Sequence, residues 1–174
     1  MTVDSWTLDS KYNRSMRPSA LWKEMSPEKR LVAANAFWTD ENGYDQQVEV
    51  IVTLARKMNF RPKSVPALPL ERRAKLLAGM DVSDAVASRA LIAYHLAAER
   101  PMMGAFLDAL NIEHDNGLIV AEEVPSPDKT KLAEAVQTLR AAFPADAVRL
   151  YFHTLVLLDG DTWADLNGML DAEG

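Results

Sequence analysis

The chain has 174 residues, 48% apolar and 25% charged, with only seven glycines, which suits one sizeable buried core and excludes disordered or fibrous classes. It contains no cysteine, so disulfides, thiolate metal sites and cysteine nucleophiles are excluded. A formal net charge of -6 at pH 7 argues against non-specific nucleic-acid binding by the chain as a whole.

The first twenty residues lack the apolar run of a secretory signal, and no stretch reaches the roughly eighteen uncharged apolar residues of a membrane span. A cytoplasmic protein without membrane contact is the expectation. Residues 1–18 read as a polar N-terminal arm holding Trp6 and Tyr12, 19–170 as a single helical domain and 171–174 as a tail.

Proline supplies the punctuation, because its fixed φ and missing N–H suit the first turn of a helix. Pro27, Pro62, Pro69, Pro101, Pro127 and Pro144 each lead into a periodic apolar pattern, with Ser26 and Ser126 as the best N-caps. In chain order, a short turn at Lys23 is followed by a helix over 27–39 that buries Leu31, Ala34 and Trp38. A loop over 40–43 leads to a helix over 45–58 with Val48, Ile51, Val52, Ala55 and Met58 on its inner face. A helical turn at 62–67 precedes a helix over 69–78, which Gly79 ends in the left-handed region. Asp81 or Ser83 caps a helix reaching Glu99, and Pro101 opens one ending near Asn111. Residues 112–125 are expected to be a loop, since the strand-like run 117–120 has no evident partner. Three helices finish the chain, over 127–142, 144–158 and from Thr162 to Met169 with Asp161 as cap. The predicted fold is all-α, an irregular bundle of about eight or nine helices around an alanine-rich helix over 83–98, with a divergent helical solenoid as runner-up.

On that central helix, Asp84, Ser88, His95 and Glu99 fall within about 60° of one another, while the rest of the circumference is almost all apolar. The stripe reads first as the face left in water and second as a functional cluster, since a carboxylate one turn from an imidazole can orient it. Arg89 lies off the stripe among apolar residues, which calls for either a buried carboxylate partner or a bound ligand, the ion pair being the preferred reading.

His114-Asp115, with His95 upstream, resembles in outline the HD-type phosphohydrolases, all-helical enzymes whose separated histidines and adjacent His-Asp pair hold metal ions that activate water. The resemblance implies a metal-dependent hydrolase with His95, His114 and Asp115 as ligands. It covers one dipeptide and a spacing, Glu113 stands where that family carries an apolar residue, and no later motif supplies the last ligand. His153, in an apolar helix, reads as a core or boundary residue.

Charge is segregated. Between Arg56 and Lys75, the seven bases Arg56, Lys57, Arg61, Lys63, Arg72, Arg73 and Lys75 face the single acid Glu71, whereas from residue 101 onward thirteen acids face four bases. The functional expectation is therefore a non-catalytic interaction module without a cofactor or bound metal, binding a protein partner or a second copy through these faces. The catalytic candidates are His95, Glu99, His114 and Asp115. The binding candidates are Arg89, Arg61, Lys63, Arg72 and Arg73. Anion or nucleic-acid binding through 56–75 is the further alternative, weakened by the acidic remainder and by the lack of stacking aromatics beyond Phe60.

Overall fold

A computed structural model describes residues 17–172; the N-terminal arm with Trp6 and Tyr12 lies outside the described residues but for its last positions. Among them the chain forms nine α-helices: α1 Pro18–Glu24, α2 Pro27–Thr39, α3 Tyr44–Met58, α4 Leu70–Ala78, α5 Asp84–Ala98, α6 Arg100–Ala109, α7 Lys129–Ala142, α8 Ala145–Leu158 and α9 Ala164–Asp171. A 3₁₀ turn at Pro62–Ser64 precedes α4, and two short strands, β1 His114–Asp115 and β2 Leu118–Ile119, separate α6 from α7. The architecture is an irregular all-α bundle. None of these helices is long and apolar enough to cross a membrane.

Several helix ends follow the sequence signals. Ser26 accepts from Lys29 N–H at the start of α2, and Ser83 accepts from Val86 N–H at the start of α5. Others correct the expectation. Asp128, rather than Ser126, caps α7 by accepting from Lys131 N–H, so Pro127 lies before the helix. Asp159, rather than Asp161, accepts from Thr162 N–H ahead of α9. Gly79 has φ −94° and is not left-handed, whereas Asn59 at φ 53° ends α3, with Phe60 N–H reaching back to Ala55 O.

The segment expected to be a loop is a hairpin. His114 pairs with Ile119 and Asp115 with Leu118, antiparallel, across Asn116 at φ 48° and Gly117 at φ 92°. Two consecutive positive φ values are what a tight two-residue hairpin requires, and Asn-Gly supplies them at least steric cost. The partner strand is the segment immediately before the turn.

Two clusters make up the core. The first gathers Leu21, Trp22, Phe37, Leu54, Leu77 and Leu91 from α1 to α5, and the second Phe106, Leu132, Leu139, Phe152 and Leu166 from α6 to α9. Each such fully buried large side chain stabilises the fold by about 1.5–3 kcal/mol relative to an exposed one. Helix α5 belongs to both regions, contacting α1, α2 and α3 and also α6 and α8. Its Ala87, Ala90 and Ala93 are buried, and their small side chains let neighbouring backbones come close while keeping high helix propensity.

The inner faces of α2 and α3 differ from the sequence expectation. Helix α2 buries Ala33, Ala34, Phe37 and Trp38 against α4 and α5, leaving Leu31 exposed. Helix α3 buries Val50, Leu54 and Ala55, and Val48 and Val52 remain exposed. The apolar stripe of α3 is wider than the surface that α5 and the 62–64 turn present to it, so one edge of the stripe is left in solvent.

Candidate functional site

The polar stripe of α5 does not simply face water. Asp84 is exposed and Ser88 and Glu99 are half-buried, but His95 is only 2% exposed. Its ring lies between those of Tyr94 and Tyr151, with centroids at 5.2 and 5.6 Å. Nδ1 stands 2.8 Å from Leu91 O. A carbonyl only accepts, so Nδ1 carries the proton and Nε2 carries a lone pair. Nε2 is closed to water and has no hydrogen-bond partner. Burial pushes the pKa of His95 down to about 4, so the ring is neutral at physiological pH.

Beside this ring is a cavity of about 160 Å³. Ile92 and Leu96 on α5, Met103 on α6, Tyr151 and Leu155 on α8 and the hairpin residues 117–119 wall it, so its surface is almost wholly apolar. Thr154 also contributes, but its hydroxyl donates to Leu150 O at 2.8 Å. The hairpin wall is held firmly. Arg100 Nε donates to Leu96 O at 2.8 Å and its Nη1 to Asn116 O at 2.9 Å. Gly117 presses on α6 so closely that a Cβ there would lie 2.9 Å from Met103 Cβ, which adds a packing demand to the positive φ.

The other candidates separate. Glu99 accepts from Tyr94 Oη at 3.0 Å, rather than orienting His95. His114 accepts from Gly117 N–H through Nδ1 at 2.9 Å, which leaves Nε2 as the nitrogen that donates to Asp108 Oδ1 at 2.7 Å. Both ring nitrogens are thus engaged in pinning the hairpin. Asp115 is exposed on β1. Among the described residues no group of three or more His, Asp and Glu side chains is placed to hold a metal ion.

Arg89 meets a carboxylate: its Nε donates to Asp40 Oδ2 at 2.6 Å, with side chains 23% and 13% exposed. Burial pushes the Asp40 carboxyl up, but the bond and charge of Arg89 and the N–H of Asn42 outweigh it, and the net displacement is downward. Arg73 stacks over Trp38 at 5.2 Å and donates to Leu68 O, so it is a packing residue at the edge of α4. Arg61, Lys63 and Arg72 are exposed, as are Arg56 and Lys57.

A surface of which sequence periodicity assigned Val48 and Val52 to the interior adjoins this basic segment. Tyr44, Val48 and Val52, each one turn apart on α3, are 72%, 37% and 37% exposed. The next step along the row is Arg56. On the acidic half, Thr162 Oγ1 lies 3.4 Å from Val124 O, which sets exposed Glu122 and Glu123 beside the turn carrying Asp159 and Asp161. Asp40, Tyr151 and Tyr44 were not singled out by the sequence, and Val48 and Val52 were placed on the inner face of their helix; only the Asn116-Gly117 pair gave a signal that would have located the hairpin wall. Set against models of known protein families, curated proteins and solved structures, the chain matches none of them.

Proposed function

We propose that this chain is a non-catalytic helical interaction module whose partner is a second copy of itself, the basic outer edge of α3 in one copy meeting the acidic corner around Glu122, Glu123, Asp159 and Asp161 in the next. One observation carries the reading: the exposed apolar row Tyr44, Val48, Val52 runs directly into a cationic end formed by Arg56, Lys57, Arg61 and Lys63. An apolar strip gives contact area, and the flanking charges select an acidic partner and set the encounter rate. The chain supplies such a partner surface itself, since thirteen acids oppose four bases beyond residue 100. Because the two surfaces differ, the contact is heterologous and leads to rings or open chains of copies rather than to a two-fold dimer.

Sedimentation across a concentration series tests this. Wild type should associate at low salt and dissociate at high salt. Arg56→Glu/Lys57→Glu should be monomeric alone, and so should Glu122→Lys/Glu123→Lys, but an equimolar mixture of the two should associate. A wild-type chain that stays monomeric at low salt and high concentration overturns the proposal, as does a mixture that remains monomeric.

A further inference from the structure

The apolar cavity between α5, α8 and the 114–119 hairpin lies beside the acidic corner. Its rim carries Leu118 and Leu158, 45% and 53% exposed, with Val120, 49% exposed, just beyond the second strand. Both sides of that rim run straight into acid: Leu118 and Val120 lead to Glu122 and Glu123, and Leu158 leads to Asp159 and Asp161. The approach of Thr162 Oγ1 to Val124 O sets the two acidic segments side by side. Exposed large apolar side chains gathered round a hollow and bordered by charge mark an interaction surface. On the basic edge, one aromatic side chain matches the hollow. Asn59 ends α3 at φ 53°, and Phe60 leaves the helix there among Arg56, Lys57, Arg61 and Lys63. Phe60 is 39% exposed, and all four of these bases are exposed as well.

Resting on the self-association reading above, we propose that Phe60 of one copy seats in this cavity of the next and anchors the contact, with Arg56, Lys57, Arg61 and Lys63 facing Glu122, Glu123, Asp159 and Asp161 across the rim. Three properties select this occupant. The volume of about 160 Å³ is of the size that holds one benzene-like ring. The lining offers aliphatic and aromatic carbon from Ile92, Leu96, Met103, Tyr151 and Leu155, which suits a ring without a polar atom. Tyr44 is more exposed, but its hydroxyl would be buried there without a partner, and it stands about 18 Å along α3 from Arg56, at the far end from the bases. The acids on the rim call for an anchor set among cations, and Phe60 has bases on both sides of it in the chain. A desolvated aromatic anchor supplies affinity, and the charges around it supply register and encounter rate.

Sedimentation of the full chain at low salt reads the anchor. Phe60→Ala should weaken association about thirtyfold, the worth of a buried aromatic hot spot, and keep the salt dependence of wild type because every charge remains. Leu158→Trp, at an exposed rim position, should close the cavity and weaken association as well. A mixture of the two should form pairs and nothing larger, since the open cavity of the first receives Phe60 of the second. In methyl spectra of the wild type, the Met103 resonance should shift as the chain associates, because a ring arrives beside it. Phe60→Leu should abolish that shift at concentrations where it is associated. Toluene, a free ring of similar size, should compete and dissociate the wild type. A wild-type chain that stays monomeric removes the self-association reading, and the anchor with it. Wild-type association that Phe60→Ala leaves equally tight, or that leaves Met103 unmoved, overturns the anchor alone, and neither readout needs Leu158→Trp to fold. A mixture no better associated than its components overturns it too, as does toluene bound without loss of association, which would make the cavity a small-molecule site.

Discussion

The two ends of α5 share an alanine-rich composition and a helical geometry, yet they treat polar groups in opposite ways. Toward the N-terminal end Ser83 bonds Val86 N–H and Glu49 Oε2, Asp84 accepts from Ser19 N–H, and Arg89 reaches Asp40. Toward the C-terminal end, His95 keeps an unsatisfied nitrogen beside a cavity. The difference comes from the neighbours. The first half of α5 lies against α2 and α3, whose connecting loop delivers Asp40, whereas His95 meets α8 and the hairpin, which supply carbon. One end is built for fixed geometry, and the other buries a polar atom without a partner.

Acid should expose this contrast most strongly. His95 is held neutral in the folded chain down to about pH 4, whereas an unfolded histidine takes up a proton near pH 6.5. Between those values the unfolded state binds the extra proton, so stability falls as pH drops through this window and is fully present above it. The displacement corresponds to a loss of about 3 kcal/mol by pH 4. Burial also lowers His153, which adds a loss of the same sign. Denaturant unfolding from pH 7 to pH 4 should therefore show a slope that His95→Phe reduces. An unchanged slope in that variant would remove His95 as the source. Asp40 acts lower on the scale, because its carboxyl is held below the usual range and its contribution persists until pH falls through that lowered value.

The paired end is broken by Arg89→Ala. Removing the guanidinium leaves the Asp40 carboxylate largely shielded from water and bonded only to Asn42 N–H among its charged-state partners. A fully buried pair broken in this way costs more, but both side chains here retain some solvent, which lowers the expected loss to about 2 kcal/mol. Chemical denaturation checks this, and Arg89→Ala/Asp40→Asn should lose less than the single substitution, because no charge is then stranded. Equal losses would mean that the pair contributes packing alone.

The sequence showed how residues share a helical face, but not which faces other elements cover. Helical periodicity sets Asp84, Ser88 and His95 along one side of α5, with Glu99 at its C-cap, and the helix bounds at 27–39 and the Ser83 cap, one of two that the sequence offered, were readable from proline and serine. The burial of His95 was not, because the hairpin and α8 that cover it are far away in the chain and stop short of Asp84. For the same reason Val48 and Val52 were placed inside: they extend an apolar stripe whose covering surface runs out. Arg89 was recognised as needing a carboxylate, but Asp40 sits 49 positions away and no local pattern pointed to it. The hairpin was missed differently. Asn116-Gly117 is a strong local turn signal, and the partner of the strand-like run is the pair of residues immediately before that turn.

The smallest effect tests whether the N-terminal end of α5 is held by its cap or by its tether to α3. Ser83 Oγ accepts from Val86 N–H at 3.2 Å and donates to Glu49 Oε2 at 2.6 Å, so Ser83→Ala loses both. The cap alone is worth about 1 kcal/mol. Glu49→Ala removes only the tether, which is exposed and contributes a fraction of that. If the cap dominates, Ser83→Ala should cost about 1 kcal/mol and Glu49→Ala much less in parallel urea titrations. Ser83→Asn sharpens the result, since its side-chain oxygen still caps while its amide bonds the carboxylate, and stability should return to near wild type. Equal losses from Ser83→Ala and Glu49→Ala would instead make the link to α3 the element that fixes this end of the helix.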